Sequence, residues 1–76
     1  MLDKKTFGQR IRTLRTKRTI SQADLAKLLQ VSCTQISDME RGQKTTSLER
    51  LVLLADYFGV STDYLLGLTE NPRRAE

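Results

Sequence analysis

Between residues 33 and 38 the chain carries a thiol, an amide, two hydroxyls and a carboxylate: Cys33, Thr34, Gln35, Ser37 and Asp38. On a helix turning about 100° per residue, Thr34, Ser37, Asp38 and Arg41 share one side, while Ile36, Met39 and the stem of Glu40 share the other. The second set belongs in a core. The first is a strip of short polar groups, and short side chains let a helix backbone approach the edges of nucleic-acid bases. Gln35 can present its amide to adenine, or bind a phosphate if it points sideways. Asp38 can accept from a cytosine amino group, and Cys33 and Thr34 can pack on a thymine methyl. Each correct contact would discriminate by about 1–3 kcal/mol. The plainer alternative is a solvated surface on which Ser32 and Gln35 act only as caps.

Phosphate contacts are expected from the flanks of this strip. Ser21 and Gln22 stand at the start of the preceding helix, where unpaired N–H groups and the helix dipole favour an anion. Arg41, Gln43 and Lys44 follow the strip and could grip the opposite backbone. For Arg41 and Lys44 the alternative role is stabilisation of a helix C-terminus, about 0.3–1 kcal/mol.

The elements that must hold these groups are legible from recurring hydroxyl caps. Thr6, with Gln9 three residues on, predicts a first helix carrying Phe7, Ile11 and Leu14 on one stripe. Ser21 with Asp24 predicts a second, whose Ala23, Leu25, Ala26, Leu28 and Leu29 imply burial over much of its circumference. Ser32 with Gln35 opens a third, and Gly42 stands where a left-handed residue would end it. Ser47 opens a fourth from Leu48 to about Phe58, stopped by Gly59; Ser61 opens a short fifth ending near Leu66. The second and third, joined by a tight turn across residues 21–42, have the layout of a helix-turn-helix. No segment alternates long enough to demand a sheet. The expected fold is all-α, a five-helix bundle over residues 1–68, with TENPRRAE closing in a frayed tail over 69–76.

Composition excludes most other chemistry. A chain of 76 residues forms one small domain. The single Cys33 cannot form an internal disulfide, and the absence of histidine removes zinc sites and His-dependent catalysis. There is no glycine-rich phosphate loop and no nucleophile–base pair, so no enzyme, cofactor, metal or small-molecule ligand is expected. No run approaches the ~18 apolar residues of a membrane span, and the start lacks a signal peptide's apolar region. The free thiol fits a reduced, cytoplasmic setting in a bacterium or phage-infected cell. The net charge is +4, and Lys4, Lys5, Arg10, Arg12, Arg15, Lys17 and Arg18 face only Asp3 within the first 18 residues. Such a cluster suits phosphate contact, and equally suits a solvated helix face.

Three segments, FGQRIRTLR, ISQADLAKLLQVSCTQISDMERG and LERLVLLADYFGVSTDYLLG, resemble the XRE family of helix-turn-helix regulators, similar to lambdoid phage repressors and Cro. The resemblance covers Phe7 to Leu68. It implies a lambda-repressor-like bundle that binds double-stranded DNA, often as a homodimer on a palindromic operator. It implies that Gln22 grips a phosphate, that Cys33, Thr34 and Asp38 touch bases, and that Ile36 anchors the reading helix. Ala26 would let the motif helices cross closely. Arg15 and Glu40 would form a salt bridge between the first and third helices, with about 3–5 kcal/mol at stake if it is buried. The chain departs from the family at Gln30 and Thr19, where glycine is frequent.

The expected function is therefore sequence-specific transcriptional regulation, most simply repression, with helix 32–41 in the major groove. Leu65 is expected to close the bundle, while Tyr64 and Leu68 either close it too or leave an apolar patch for a twin. An antitoxin-type autoregulator would share these features. A protein-interaction module that kept the fold without reading DNA would be expected to lose the basic flanks that Arg41 and Lys44 retain.

Overall fold

The structure is a computed structural model that describes residues 2–73. Its first helix, α1 (Lys4–Lys17), begins at Asp3 rather than Thr6. Asp3 Oδ1 accepts the Lys5 and Thr6 backbone N–H groups at 3.0 and 3.3 Å, and Oδ2 accepts the Thr6 hydroxyl at 2.8 Å. A carboxylate caps as well as a hydroxyl and adds a charge that complements the helix dipole, so the cap moves three residues upstream. The Thr6 hydroxyl, foremost, holds the Asp3 carboxyl below its ordinary range.

Helix α2 (Gln22–Leu29) starts with a complete capping box: Ser21 Oγ accepts Asp24 N–H at 3.0 Å, and Asp24 Oδ2 accepts Ser21 N–H at 3.1 Å. The Ser21 backbone N–H is the main reason the Asp24 carboxyl lies below its usual range. Burial of α2 is narrower than its apolar content predicts. Leu25, Ala26 and Leu29 are buried and Leu28 is half-buried, but Ala23 is exposed. Ala23 and Lys27, four residues apart, share the outer face.

Helix α3 (Cys33–Glu40) repeats the device, with Ser32 and Gln35 in a reciprocal box. Helix α4 (Leu48–Phe58) is capped by Ser47 and ends at Gly59, and α5 (Thr62–Leu65) is capped by Ser61. No strand occurs among the described residues.

Helix α1 packs on α3 and α5, α2 packs on α3, and α4 packs on α5. Phe7, Ile11, Leu25, Ile36, Leu54 and Leu65 are fully buried where these elements meet. Each such side chain contributes roughly 1.5–3 kcal/mol of hydrophobic stabilisation. Leu65 closes the bundle, whereas Tyr64 is half-buried beneath the Arg10 guanidinium, 4.2 Å from its ring centroid, and Leu68 is 69% exposed.

Residues 69–72, the first part of the expected tail, run back along the bundle. Arg10 Nη1 donates to the Tyr64 carbonyl and, at 2.6 Å, to that of Thr69, while the Pro72 carbonyl accepts Ser61 N–H at 3.0 Å. Residues 74–76 of the expected tail lie outside the described residues. No helix among those described is long and apolar enough to cross a membrane.

Candidate nucleic-acid interface

Helix α3 is fixed from behind. Ile36 and Met39 enter the core, and Glu40, 8% exposed, is the one buried charged residue among those described. Glu40 Oε2 accepts Arg15 Nε at 2.6 Å, and its Oε1 accepts both Arg15 Nη2 and Gln22 Nε2 at 3.1 Å. Arg15 Nη1 donates to the Ile20 carbonyl at 2.9 Å, so one guanidinium binds α3 and the α1–α2 connection together. The hydrogen bonds that Arg15 donates to Glu40 push the Arg15 pKa further up. The carboxylate is thus paired and hydrogen-bonded on both oxygens, as a buried charge requires.

The turn between α2 and α3 carries Gln30 at φ 58°, ψ 45°, and the α1–α2 connection carries Thr19 at φ 57°. Both are left-handed conformations in which an L-residue is strained, β-branched threonine more than glutamine. Arg50 Nε donates to the Leu29 carbonyl at 2.9 Å, satisfying the end of α2 just before this turn. The turn geometry therefore survives without glycine.

With its rear face fixed, α3 presents the opposite face outward. Cys33, Thr34 and Gln35 are exposed, and Ser37 and Asp38 are half-buried beside them. Gln35 Oε1 is held at 3.1 Å by Ser32 N–H, so an adenine contact through both amide atoms requires it to leave its cap. Asp38 is not isolated. Its Oδ1 accepts Arg41 Nη2 at 2.7 Å, and its Oδ2 lies 3.9 Å from Lys44 Nζ.

The expected phosphate-side groups divide. Ser21 is exposed with its hydroxyl committed to the cap, while Gln22 is half-buried and gives one amide hydrogen to Glu40, keeping a second. Arg41, Gln43 and Lys44 are exposed beyond the end of α3, and the Gln43 backbone N–H donates to the Asp38 carbonyl at 2.9 Å. The structure brings Arg41 and Lys44 to one carboxylate and Gln22 to another.

The basic cluster of the first 18 residues also divides. Arg15 is structural; Arg10 clasps the residues after α5; Arg18 lies over the rings of Tyr57 and Phe58 at 5.2 and 5.5 Å. Lys4, Lys5, Arg12 and Lys17 remain exposed. Arg12 lines a cleft of about 230 Å³ together with Arg15, Gln22, Ser37, Glu40 and Arg41. A larger groove of about 710 Å³, bounded by Leu28, Leu48 and Leu53, shares no residue with the polar strip.

Two contributors were missed in the sequence. Gly8 is buried inside α1, and its signal was available: a helix-interior glycine that costs about 1 kcal/mol against alanine asks for a packing reason. Arg12 was one cation among seven, and nothing in its spacing separates it from Arg10 or Arg15.

A family model described as Helix-turn-helix matches residues 11–65. The HTH-type transcriptional regulator YobD of Bacillus subtilis is 36% identical over 66 residues, covering 87% of this chain and 59% of YobD. Control protein C.BamHI of Bacillus amyloliquefaciens is 38% identical over 64 residues, 83% of this chain and 79% of that protein. Among solved structures, the P22 c2 repressor in complex with synthetic operator 9T superposes with a TM-score of 0.73 at 42% identity, covering 79% of this chain and 91% of that one. The chain spans about half the length of several curated relatives that it matches.

Proposed function

Because this chain belongs to the XRE-type helix-turn-helix family of transcriptional regulators, we infer that it reads double-stranded DNA with α3 in the major groove. The observation that carries this reading is the division of α3 into two faces. Ile36, Met39 and Glu40 are locked into the bundle, while Cys33, Thr34, Gln35, Ser37 and Asp38 form a polar strip on the outer face. These five are the base-contacting residues, and Ser21, Gln22, Arg41, Gln43 and Lys44 contact the phosphates on either side. That a solved relative, the P22 c2 repressor, is in complex with a synthetic operator supports the reading of this chain as a DNA-binding domain.

The protein acts by binding rather than catalysis, as a cytoplasmic repressor that occupies its operator. It pairs with a second copy, Leu68 offering exposed apolar surface, so that two α3 helices lie about 34 Å apart on a palindrome.

Selection of bound sites from random duplexes, followed by a salt series on the recovered site, tests this. A palindrome bound with steep salt dependence is the expected result. Equal affinity for all sequences would overturn base reading, and no binding even at low salt would overturn DNA binding itself.

A further inference from the structure

Helix α4 buries only one of its faces. Leu51, Leu54, Ala55 and Phe58 enter the core, yet Leu48, Val52, Leu53 and Tyr57 remain 80%, 52%, 39% and 36% exposed. Leu48 and Leu53 line, with the half-buried Leu28, the groove of about 710 Å³ between the end of α2 and the start of α4. Tyr57 stands one turn beyond Leu53, so the apolar wall extends for roughly 14 Å along α4, about two and a half turns. Apolar surface gathered in this way marks an interaction site.

The charges around this wall are sorted. Arg50, half-buried in the groove, gives its Nε to the Leu29 carbonyl at 2.9 Å and meets no carboxylate among the described residues. That hydrogen bond fixes the guanidinium while leaving its charge uncompensated. At the far end of the wall, Arg18 lies over the Tyr57 ring at 5.2 Å. Glu49 and Asp56, seven residues apart, stand on the crest of α4 farthest from its buried face. Glu49, at the rim of the groove, also complements the dipole of α4 from its first turn. The wall therefore has a guanidinium at each end.

We propose that this groove docks an amphipathic helix of a partner protein, one whose leucine-type anchors are flanked by carboxylates. No strand edge exists among the described residues to template an extended peptide, whereas a helix lays anchors one and two turns apart into such a groove. Carboxylates flanking the anchors meet Arg50 and Arg18, and a guanidinium fork takes a carboxylate bidentately. The chain's net charge of +4 draws an acidic partner from a distance. The groove shares no residue with the strip on α3, so the docked helix leaves that strip free.

Three fluorescein-labelled helical peptides test this: one with leucines at i, i+4 and i+7 flanked by glutamates, one with the same leucines flanked by lysines, and one with glutamates but alanine for each leucine. Each is titrated by fluorescence anisotropy into wild type, Leu48→Ser and Leu68→Ser. Both leucines are well exposed, so equal thermal melting certifies the folding of the variants. The acidic leucine peptide alone is expected to bind. Its affinity should fall about tenfold in Leu48→Ser, the loss of one apolar anchor, and stay unchanged in Leu68→Ser, which lies outside the groove. No binding of that peptide, or equal binding to Leu48→Ser and wild type, would overturn the groove as a docking site. Equal binding of the lysine-flanked peptide would overturn the acidic partner. Sedimentation of the proteins without peptide supplies the last arm: self-association abolished by Leu48→Ser would assign the groove to a second copy of this chain and overturn the proposal.

Discussion

Gly8 and Met39 hold α1 against the end of α3 at a separation that only glycine permits: a Cβ at Gly8 would lie 2.2 Å from the Met39 carbonyl oxygen. The Glu40 carbonyl would be 2.8 Å away. The obstacle is backbone on both counts, so no rotamer change relieves it. The approach also brings Arg15 of α1 within hydrogen-bonding reach of Glu40 in α3.

Gly8→Ala is therefore expected to destabilise the domain. Intrinsic helix propensity alone favours alanine by about 1 kcal/mol. Overpacking against a fixed backbone costs about 1–3 kcal/mol and reverses that sign. Urea unfolding of the two proteins checks it, and a more stable Gly8→Ala would show that α1 and α3 can separate freely.

Breaking the Arg15–Glu40 pair from either side leaves an uncompensated charge, and the two sides differ. Arg15→Met strands a Glu40 carboxylate with Gln22 as its remaining donor, and should cost about 3–5 kcal/mol. Replacing both residues by apolar ones of similar size should restore much of that, because the pair's own desolvation penalty disappears with it. A double-mutant cycle by chemical denaturation reads the coupling. Additive losses would mean that the two side chains do not act as a unit.

Much of the bundle was legible because its helix starts are chemical events recorded in single residues. Ser21, Ser32, Ser47 and Ser61 each cap the helix expected of them. Asp3 displaced Thr6 because two good caps three residues apart compete, and local sequence does not say which wins. At Gly8 a helix-interior glycine signals a packing reason but not which one: its neighbour is a carbonyl 31 positions away, brought there by tertiary packing. The strip on α3 follows from helical periodicity alone, yet the pairing of Asp38 with Arg41 and of Gln22 with Glu40 depends on side-chain directions that spacing does not fix.

Thr19 and Gln30 offer a way to raise stability. Both are left-handed, at φ 57° and 58°, and glycine adopts that region without the ~1–2 kcal/mol penalty of an L-residue. Part of the gain is lost to the greater entropy of glycine in the unfolded chain. Thr19→Gly and Gln30→Gly should each stabilise by about 0.5–1 kcal/mol, the threonine site more. Thermal melting of the single variants checks the order, and destabilisation of either would mean that its side chain holds the turn.

The α2 capping box gives a defined pH dependence. The Asp24 carboxyl titrates below its unfolded value of about 3.9, chiefly because it accepts the Ser21 N–H. Its stabilisation is thus fully present above the unfolded value and is lost as pH falls through the folded one. The stability difference between wild type and Asp24→Asn should be constant from pH 7 to about pH 5 and shrink below about pH 4. A difference that stayed flat into strong acid would show that the charge on Asp24 contributes nothing.

Asp38 is a carboxylate placed at a surface inferred to meet a polyanion, and its pairing with Arg41 and Lys44 predicts a double signature on removal. Its Oδ1 accepts from Arg41 at 2.7 Å, which leaves the second lone pair of that oxygen and much of Oδ2 for a cytosine amino group. Asp38→Ala should then lose about 1–3 kcal/mol of discrimination at one base pair of each half-site. It also releases two cations from an anionic partner, so binding to unrelated duplexes should tighten and grow more salt-dependent. Affinities for the selected site, for its single-base variants and for an unrelated duplex, each over a salt series, separate the two effects. Tighter non-specific binding with unaltered base preference would make Asp38 a counterion to Arg41 and Lys44 and nothing more. Specificity lost without any rise in non-specific affinity would mean that Arg41 and Lys44 already reach the backbone with Asp38 in place.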